Sequence, residues 1–123
     1  MITLLLVDDD PWLRQGLRLW LERAPDITVV GEASTGAEAM TLANTLQPDV
    51  VLMDLSKPTM NGTAATAGLR ASVPHSAVVL PSLYDDAAMR ARAHAAGAVT
   101  VVGKQEGVQA LLAAIRAAGR QDH

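Results

Sequence analysis

The 123-residue chain has no cysteine and no phenylalanine, and its only aromatic residues are Trp12, Trp20 and Tyr84. Without cysteine it can form no disulfide, zinc-thiolate centre or thiol redox pair. So few rings leave the core to aliphatic and alanine side chains, which are plentiful in a sequence that is 50% hydrophobic. A basic excess is also missing. Ten basic residues stand against thirteen acidic ones, for a formal charge of −3 and a pI near 5.5, so the electrostatic footprint of nucleic-acid binding is absent. No apolar run approaches transmembrane length, and no charged-apolar-small leader pattern opens the chain. The expectation is a soluble, cytoplasmic protein with no membrane or nucleic-acid partner of its own. His75, His94 and His123 have no metal-ligand spacing and read as surface residues. The length suits one domain around one core.

What is present is a set of short apolar runs, each stopping at a residue capable of phosphate or metal chemistry. Ile2–Val7 stops at Asp8-Asp9-Asp10, and Val50–Met53 stops at Asp54. Val78–Leu80 and Pro81 lead to Ser82, and Val99–Val102 and Gly103 lead to Lys104. These runs have the length and branched composition of buried strands, and helical stretches separate them. A fifth, shorter run at Ile27–Gly31 has polar flanks and reads as an edge strand.

Asp10-Pro11 is a helix start: Asp can cap free backbone N–H groups and Pro fits the first helical position. The helix it opens is expected to reach about Arg23, with Leu13, Leu17, Trp20 and Leu21 inward and both tryptophans in the core or at its rim. Thr35-Gly36-Ala37-Glu38 reads as a capping box opening a second helix, with Ala39, Met40, Ala43 and Leu46 inward. A third helix, about Thr63–Ala71, has Leu69 as its large anchor. A fourth, from Asp85 or Asp86 to Gly97, is rich in Ala and Arg. The last, about Glu106–Ala118, turns Val108, Leu111, Leu112 and Ile115 inward. Residues 1–119 form the domain, and 120–123 are a polar tail where a linker could start.

Five strand–helix units with right-handed crossovers predict an α/β fold, a doubly wound (βα)5 parallel sheet of strand order 2-1-3-4-5. Ligands of such sheets bind beyond the carboxyl ends of the strands, at the switch point between strands 1 and 3. With neighbouring strands about 4.8 Å apart, Asp8, Asp9 and Asp54 would sit together. Clustered carboxylates repel one another, and a divalent cation removes the conflict; a small all-oxygen donor set favours Mg2+. An Asp oxygen beside such an ion can attack a phosphoryl group, and the transfer then needs charge stabilisation, which Lys104 and the Ser82 hydroxyl could supply.

With these residues in hand, the whole chain resembles the receiver domains of bacterial two-component response regulators, the CheY-like members of the flavodoxin-like folds. The resemblance is strongest to those of the NarL/FixJ (LuxR-type) subfamily, usually fused to a helix-turn-helix output domain. Val7-Asp8-Asp9-Asp10-Pro11 is similar to that family's acidic pair and helix start. Asp54-Leu55-Ser56-Lys57-Pro58-Thr59-Met60-Asn61-Gly62 is similar to its phosphoacceptor loop. Ser82 and Lys104 stand at its switch-hydroxyl and lysine positions. The resemblance implies Asp54 as phosphoacceptor and Mg2+ held by Asp9 directly, Asp8 through water, Asp54 and the Ser56 carbonyl, with Ser82 and Lys104 on the phosphoryl group. Ser56 and Tyr84 fall at positions that tune phosphoryl lifetime in the family. The implied partner is a sensor histidine kinase or phosphotransfer protein, and a homodimer through the fourth helix, fifth strand and fifth helix is in keeping with it. The domain is then a phosphoprotein switch for transcription, and no turnover enzyme.

Several residues depart from that pattern. Lys57 replaces an apolar residue, Pro81 interrupts an internal strand, Leu83 replaces a small residue after the switch hydroxyl, and Val101 stands where relatives carry a Tyr or Phe. They keep open a pseudo-receiver, an interaction module independent of phosphate. A haloacid-dehalogenase-type phosphatase would need an Asp where Ser56 stands, and an FMN-binding flavodoxin would need a first loop that is not acidic.

Overall fold

The computed structural model describes residues 1–53, 62–82, 91, 95, 97, 100–103 and 107–119. In chain order these form β1 (Ile2–Val7), α1 (Pro11–Leu21), β2 (Ile27–Ala33), α2 (Gly36–Leu46), β3 (Val50–Met53), α3 (Gly62–Ser72), β4 (Ala77–Ser82), β5 (Thr100–Gly103) and a C-terminal helix, here α4 (Val108–Gly119). The strands make one sheet in the order β2-β1-β3-β4-β5, and every described pairing is parallel. The expected fourth helix, Asp85–Gly97, lies largely outside the described residues. Gly97 itself has φ 106°, the left-handed geometry that favours glycine at a helix stop.

Parallel strands buried on both faces have no polar side to offer, which is why β3 is apolar throughout. All four of its residues are buried. Alternation then sorts the core into two layers. Leu5, Val7, Val51, Met53, Val78 and Leu80 face α2 and α3, joining Ala39, Ala43, Leu69 and Val73. Ile2, Leu4, Leu6, Val50, Leu52, Ala77 and Val79 face α1 and α4, joining Leu21, Ile115 and Ala118. Each fully buried leucine in these layers contributes about 2 kcal/mol over an exposed one.

Strand β2 breaks this alternation. Leu4 pairs with Val29, but Leu5 pairs with Gly31, so Val30 is an extra residue in the edge strand. Ile27 and Val29 lie in the α1/α4 layer, whereas Ala33, of the same parity, lies in the α2/α3 layer. A bulge of this kind re-aims every residue after it. Here it turns Glu32 toward α1. Gly31 is needed at the same place, because a Cβ there would lie 2.7 Å from Leu46 Cδ1 and 3.3 Å from Leu5 Cδ1.

The helix starts follow their caps. The Asp10 carboxylate accepts from Trp12 N at 3.0 Å and Leu13 N at 3.3 Å. Thr35 Oγ1 accepts from Glu38 N at 3.1 Å, but the return arm of the box reaches Ser34 N–H, 3.2 Å from Glu38 Oε1, one residue before the cap. At the opposite edge of the sheet, Asp49 staples β1 to the start of β3. Its Oδ2 accepts from Thr3 N at 2.9 Å and Thr3 Oγ1 at 3.1 Å.

Some sequence expectations need correction. Helix α1 ends at Leu21, with Glu22 as its C-cap, short of Arg23. Leu21 is fully buried, while Leu17 and Trp20 pack at the margin of the core. Leu13 is 41% exposed and Trp12 is 82% exposed, because the apolar stripe of α1 is wider than the strip of sheet beneath it. Leu46, expected inward, is 38% exposed, its tip resting over Gly31. Strand β2 continues to Ala33, past the expected Gly31. Pro81 does lie within β4, opposite Val102 of β5, beyond the last described β3 partner of that strand, Val79.

Candidate functional site: the acidic edge of the sheet

The register fixes which strand ends meet. Val7, the last residue of β1, is the partner of Met53, the last of β3. Ser82, the last of β4, is the partner of Gly103, the last of β5. All these ends lie on one edge because the strands are parallel. Asp54 follows Met53 and Lys104 follows Gly103 in sequence. Asp54, Ser56 and Lys104 lie outside the described residues, as do Lys57, Leu83 and Tyr84. Ser82 is described as part of β4.

Asp8 and Asp9 occupy the turn from β1 into α1. Asp8 extends the β1–β2 ladder by one bond, its N–H donating to Ala33 O at 3.0 Å. Its side chain is buried, with 2% relative exposure of the residue. Oδ1 accepts from Asp10 N at 2.9 Å, which closes a tight turn. Asp9 is half-buried. A buried carboxylate is costly unless compensated, and hard oxygen donors adjacent on one turn suit Mg2+ better than a softer ion. The chemistry of the donors present therefore fits that ion. Among the described residues, no group of three or more His, Cys, Asp or Glu residues converges on one point.

Arg14, one turn into α1, holds this turn from behind. Its Nη1 donates to the Asp8 carbonyl at 2.7 Å and to Ser34 Oγ at 3.0 Å, and its Nε donates to Glu32 Oε1 at 3.0 Å. Arg18 donates through Nη1 to Glu32 Oε2 in a short contact and through Nε to Glu22 at 3.0 Å. Burial pushes the Glu32 carboxyl up, but the hydrogen bonds from Arg18 and Arg14 more than offset it and hold the pKa below the ordinary value. The hydrogen bond to Glu32 and then that to Glu22 raise the Arg18 pKa. The sequence reading missed this group. Its visible signal was a pair of arginines four residues apart on α1 and one acidic residue near the end of an edge strand.

Comparison with known proteins agrees with the geometry. The family model described as the response regulator receiver domain matches residues 4–116. Among curated proteins, the transcriptional regulatory protein LiaR of Bacillus subtilis is 41% identical over 121 residues, covering 98% of this chain and 57% of LiaR. The nitrate/nitrite response regulator NarL of Escherichia coli is 52% identical over 68 residues, covering 55% of this chain and 32% of NarL. The matched stretch thus spans a little over half of LiaR and about a third of NarL. Among solved structures, the receiver domain of a putative NarL from Mycobacterium tuberculosis superposes with a TM-score of 0.81 at 31% identity, covering 94% of this chain and 96% of that one. The response regulator domain of Thermotoga maritima CheB gives 0.87 at 32% identity, covering 100% and 99%. A sheet of this order, an acidic turn after β1 and a family match over nearly the whole chain lead to one conclusion: the chain belongs to the response regulator receiver domains, with relatives among the NarL- and LuxR-type regulators.

Proposed function

We propose that this chain accepts a phosphoryl group on Asp54 from a sensor histidine kinase or phosphotransfer protein and acts as a phosphorylation-controlled switch. A carboxylate oxygen of Asp54 attacks phosphorus as the bond from phosphorus to the donor nitrogen breaks, and the histidine leaves. Asp8, Asp9, Asp54 and the Ser56 carbonyl would hold Mg2+, which when bound neutralises charge on the phosphoryl oxygens. Lys104 and the Ser82 hydroxyl take the remaining oxygens. Supporting this reading most is the pairing of Val7 with Met53, which sets the ends of β1 and β3 side by side. By likeness to the regulators above, the output is transcription, through a DNA-binding domain outside this chain, in the cytoplasm. No described helix is long and apolar enough to cross a membrane. Homodimerisation would use β5 and α4 with the segment before them.

One observation favours a second reading. Val101 lies in β5, opposite Leu80, at the position where the family resemblance puts a Tyr or Phe switch in many receivers, so a phosphate-independent interaction module stands as the alternative. The test is incubation with Mg2+ and a small-molecule phosphodonor, read by intact mass beside Asp54→Asn. A phosphate-sized adduct on the wild type alone is the expected result. An equal adduct on Asp54→Asn, or no adduct on either the wild type or Leu83→Ala, would overturn Asp54 as acceptor.

A further inference from the structure

We propose that Arg14 is a positioning residue for the acidic turn, fixing the backbone of Asp8 so that the Asp8-Asp9 pair is preset for a divalent cation. Three contacts converge on one guanidinium: the Asp8 carbonyl at 2.7 Å, Ser34 Oγ at 3.0 Å and Glu32 Oε1 at 3.0 Å. They join the β1–α1 turn, the β2–α2 turn and the last stretch of the edge strand. The fork geometry of arginine is what allows a single side chain to hold three elements. The Val30 bulge belongs to the same device, since it aims Glu32 at α1. Glu32 then orients Arg14, and Arg14 orients the Asp8 peptide. That peptide carries the Asp8 carboxylate, whose Oδ1 receives the Asp10 N–H. The half-exposed Asp9 follows on the same turn.

Positioning and simple electrostatics predict opposite signs. A fixed cation behind an acidic pair repels Mg2+, so removing it should tighten metal binding if charge were all that mattered. If Arg14 presets the ligands, removing it should weaken binding. Loss of an outer-shell partner of this kind costs a metal site about tenfold in affinity at the lower end. Arg14→Lys sharpens the contrast, because it keeps the charge and loses the fork. Arg18→Ala is the control: it removes a cation from the same Glu32 carboxylate, and the hydrogen bonds it gives up go to Glu32 and Glu22.

The proposal rests on the reading of Asp8 and Asp9 as cation ligands, so the experiment carries a second readout that does not. Mg2+ alone is titrated into the wild type, Arg14→Ala, Arg14→Lys and Arg18→Ala, with Kd read from amide chemical shifts. Hydrogen exchange at the Asp10 amide is measured on the same samples without metal. Expected are a Kd about tenfold weaker in Arg14→Ala, a change of the same sign in Arg14→Lys, and faster Asp10 exchange in both, with Arg18→Ala unchanged or tighter. Equal or tighter Mg2+ binding in Arg14→Ala with unchanged Asp10 exchange would overturn the proposal. If the wild type binds no Mg2+, the cation reading fails by itself; unchanged Asp10 exchange in the Arg14 variants would then overturn the positioning role as well. Should Arg14→Ala not fold, Arg14→Lys decides.

Discussion

Glu32→Gln tests whether the edge-strand bulge serves to form a charged clamp on α1. The substitution keeps the shape and one acceptor oxygen and removes the charge. Glu32 accepts from Arg14 Nε at 3.0 Å and from Arg18 Nη1 in a shorter contact. The side chains of Arg14 and Glu32 are 18% and 28% exposed, that of Arg18 40%. A hydrogen bond to a charged group contributes about 1.5–3 kcal/mol when shielded, and an exposed ion pair about 0.2–1 kcal/mol. The Arg14 arm therefore falls near the lower end of the first range, about 1.5 kcal/mol, and the Arg18 arm near the middle of the second, about 0.5 kcal/mol. Glutamine recovers about 0.5–1 kcal/mol through a neutral hydrogen bond. The net loss is about 1–1.5 kcal/mol at neutral pH, or roughly 3–6 °C in Tm for a domain of this size.

The pH dependence separates this account from a packing account. The folded Glu32 pKa lies below its ordinary value, so the unfolded chain takes up the proton first as pH falls. The stabilisation is complete above the unfolded pKa and is lost as pH drops through the folded one. Urea denaturation of both proteins at about pH 7, 5 and 3.5 would show it. The wild-type advantage should be full at the first, little reduced at the second and much smaller at the third. A penalty of constant size across that range would refute the electrostatic origin. No penalty at neutral pH would show that solvent has already dissolved the clamp.

Three further substitutions probe other parts of the molecule. Gly16 lies exposed in the interior of α1, and a Cβ there meets nothing within 4 Å; Gly16→Ala should stabilise the fold by about 0.8–1 kcal/mol, seen as a higher urea midpoint at unchanged m-value. Gly31→Ala should do the reverse by about 1–3 kcal/mol, because its Cβ would lie 2.7 Å from Leu46 Cδ1 and 3.3 Å from Leu5 Cδ1 at the sheet; a neutral result would mean that the exposed Leu46 tip swings away freely. Leu83→Ala should raise the rate of phosphorylation by small donors several-fold if the side chain narrows access to Asp54; an unchanged rate in intact-mass time courses would count against the access argument.

The sheet was legible because its signal is redundant. Val50–Met53 is apolar at every position and Ile2–Val7 at every position but Thr3, and a parallel sheet with both faces covered gives such runs a place. The caps were legible for a local reason: Asp10 and Thr35 need only their own next few residues to act. Legibility stopped where a residue's role depends on register. Val30 looks like any other strand valine, and no periodicity announces that it is surplus. That surplus decides the direction of Glu32, and Glu32 gives Arg14 and Arg18 a meaning beyond a solvated face. The apolar stripe of α1 misled for the complementary reason. Leu13, Leu17, Trp20 and Leu21 share a face on paper, yet the width of sheet available beneath α1 is a property of the edge strand, which no residue of the helix encodes. The acidic pair falls between these cases. Its residue types and strand-end position point to it from sequence, while the Arg14 side chain that contacts the Asp8 carbonyl is itself held by Glu32 of β2 and Ser34 of the β2–α2 turn, 24 and 26 residues beyond Asp8. The motif residues are thus readable one by one, whereas the contacts that surround Asp8 depend on an edge strand that carries none of those motifs.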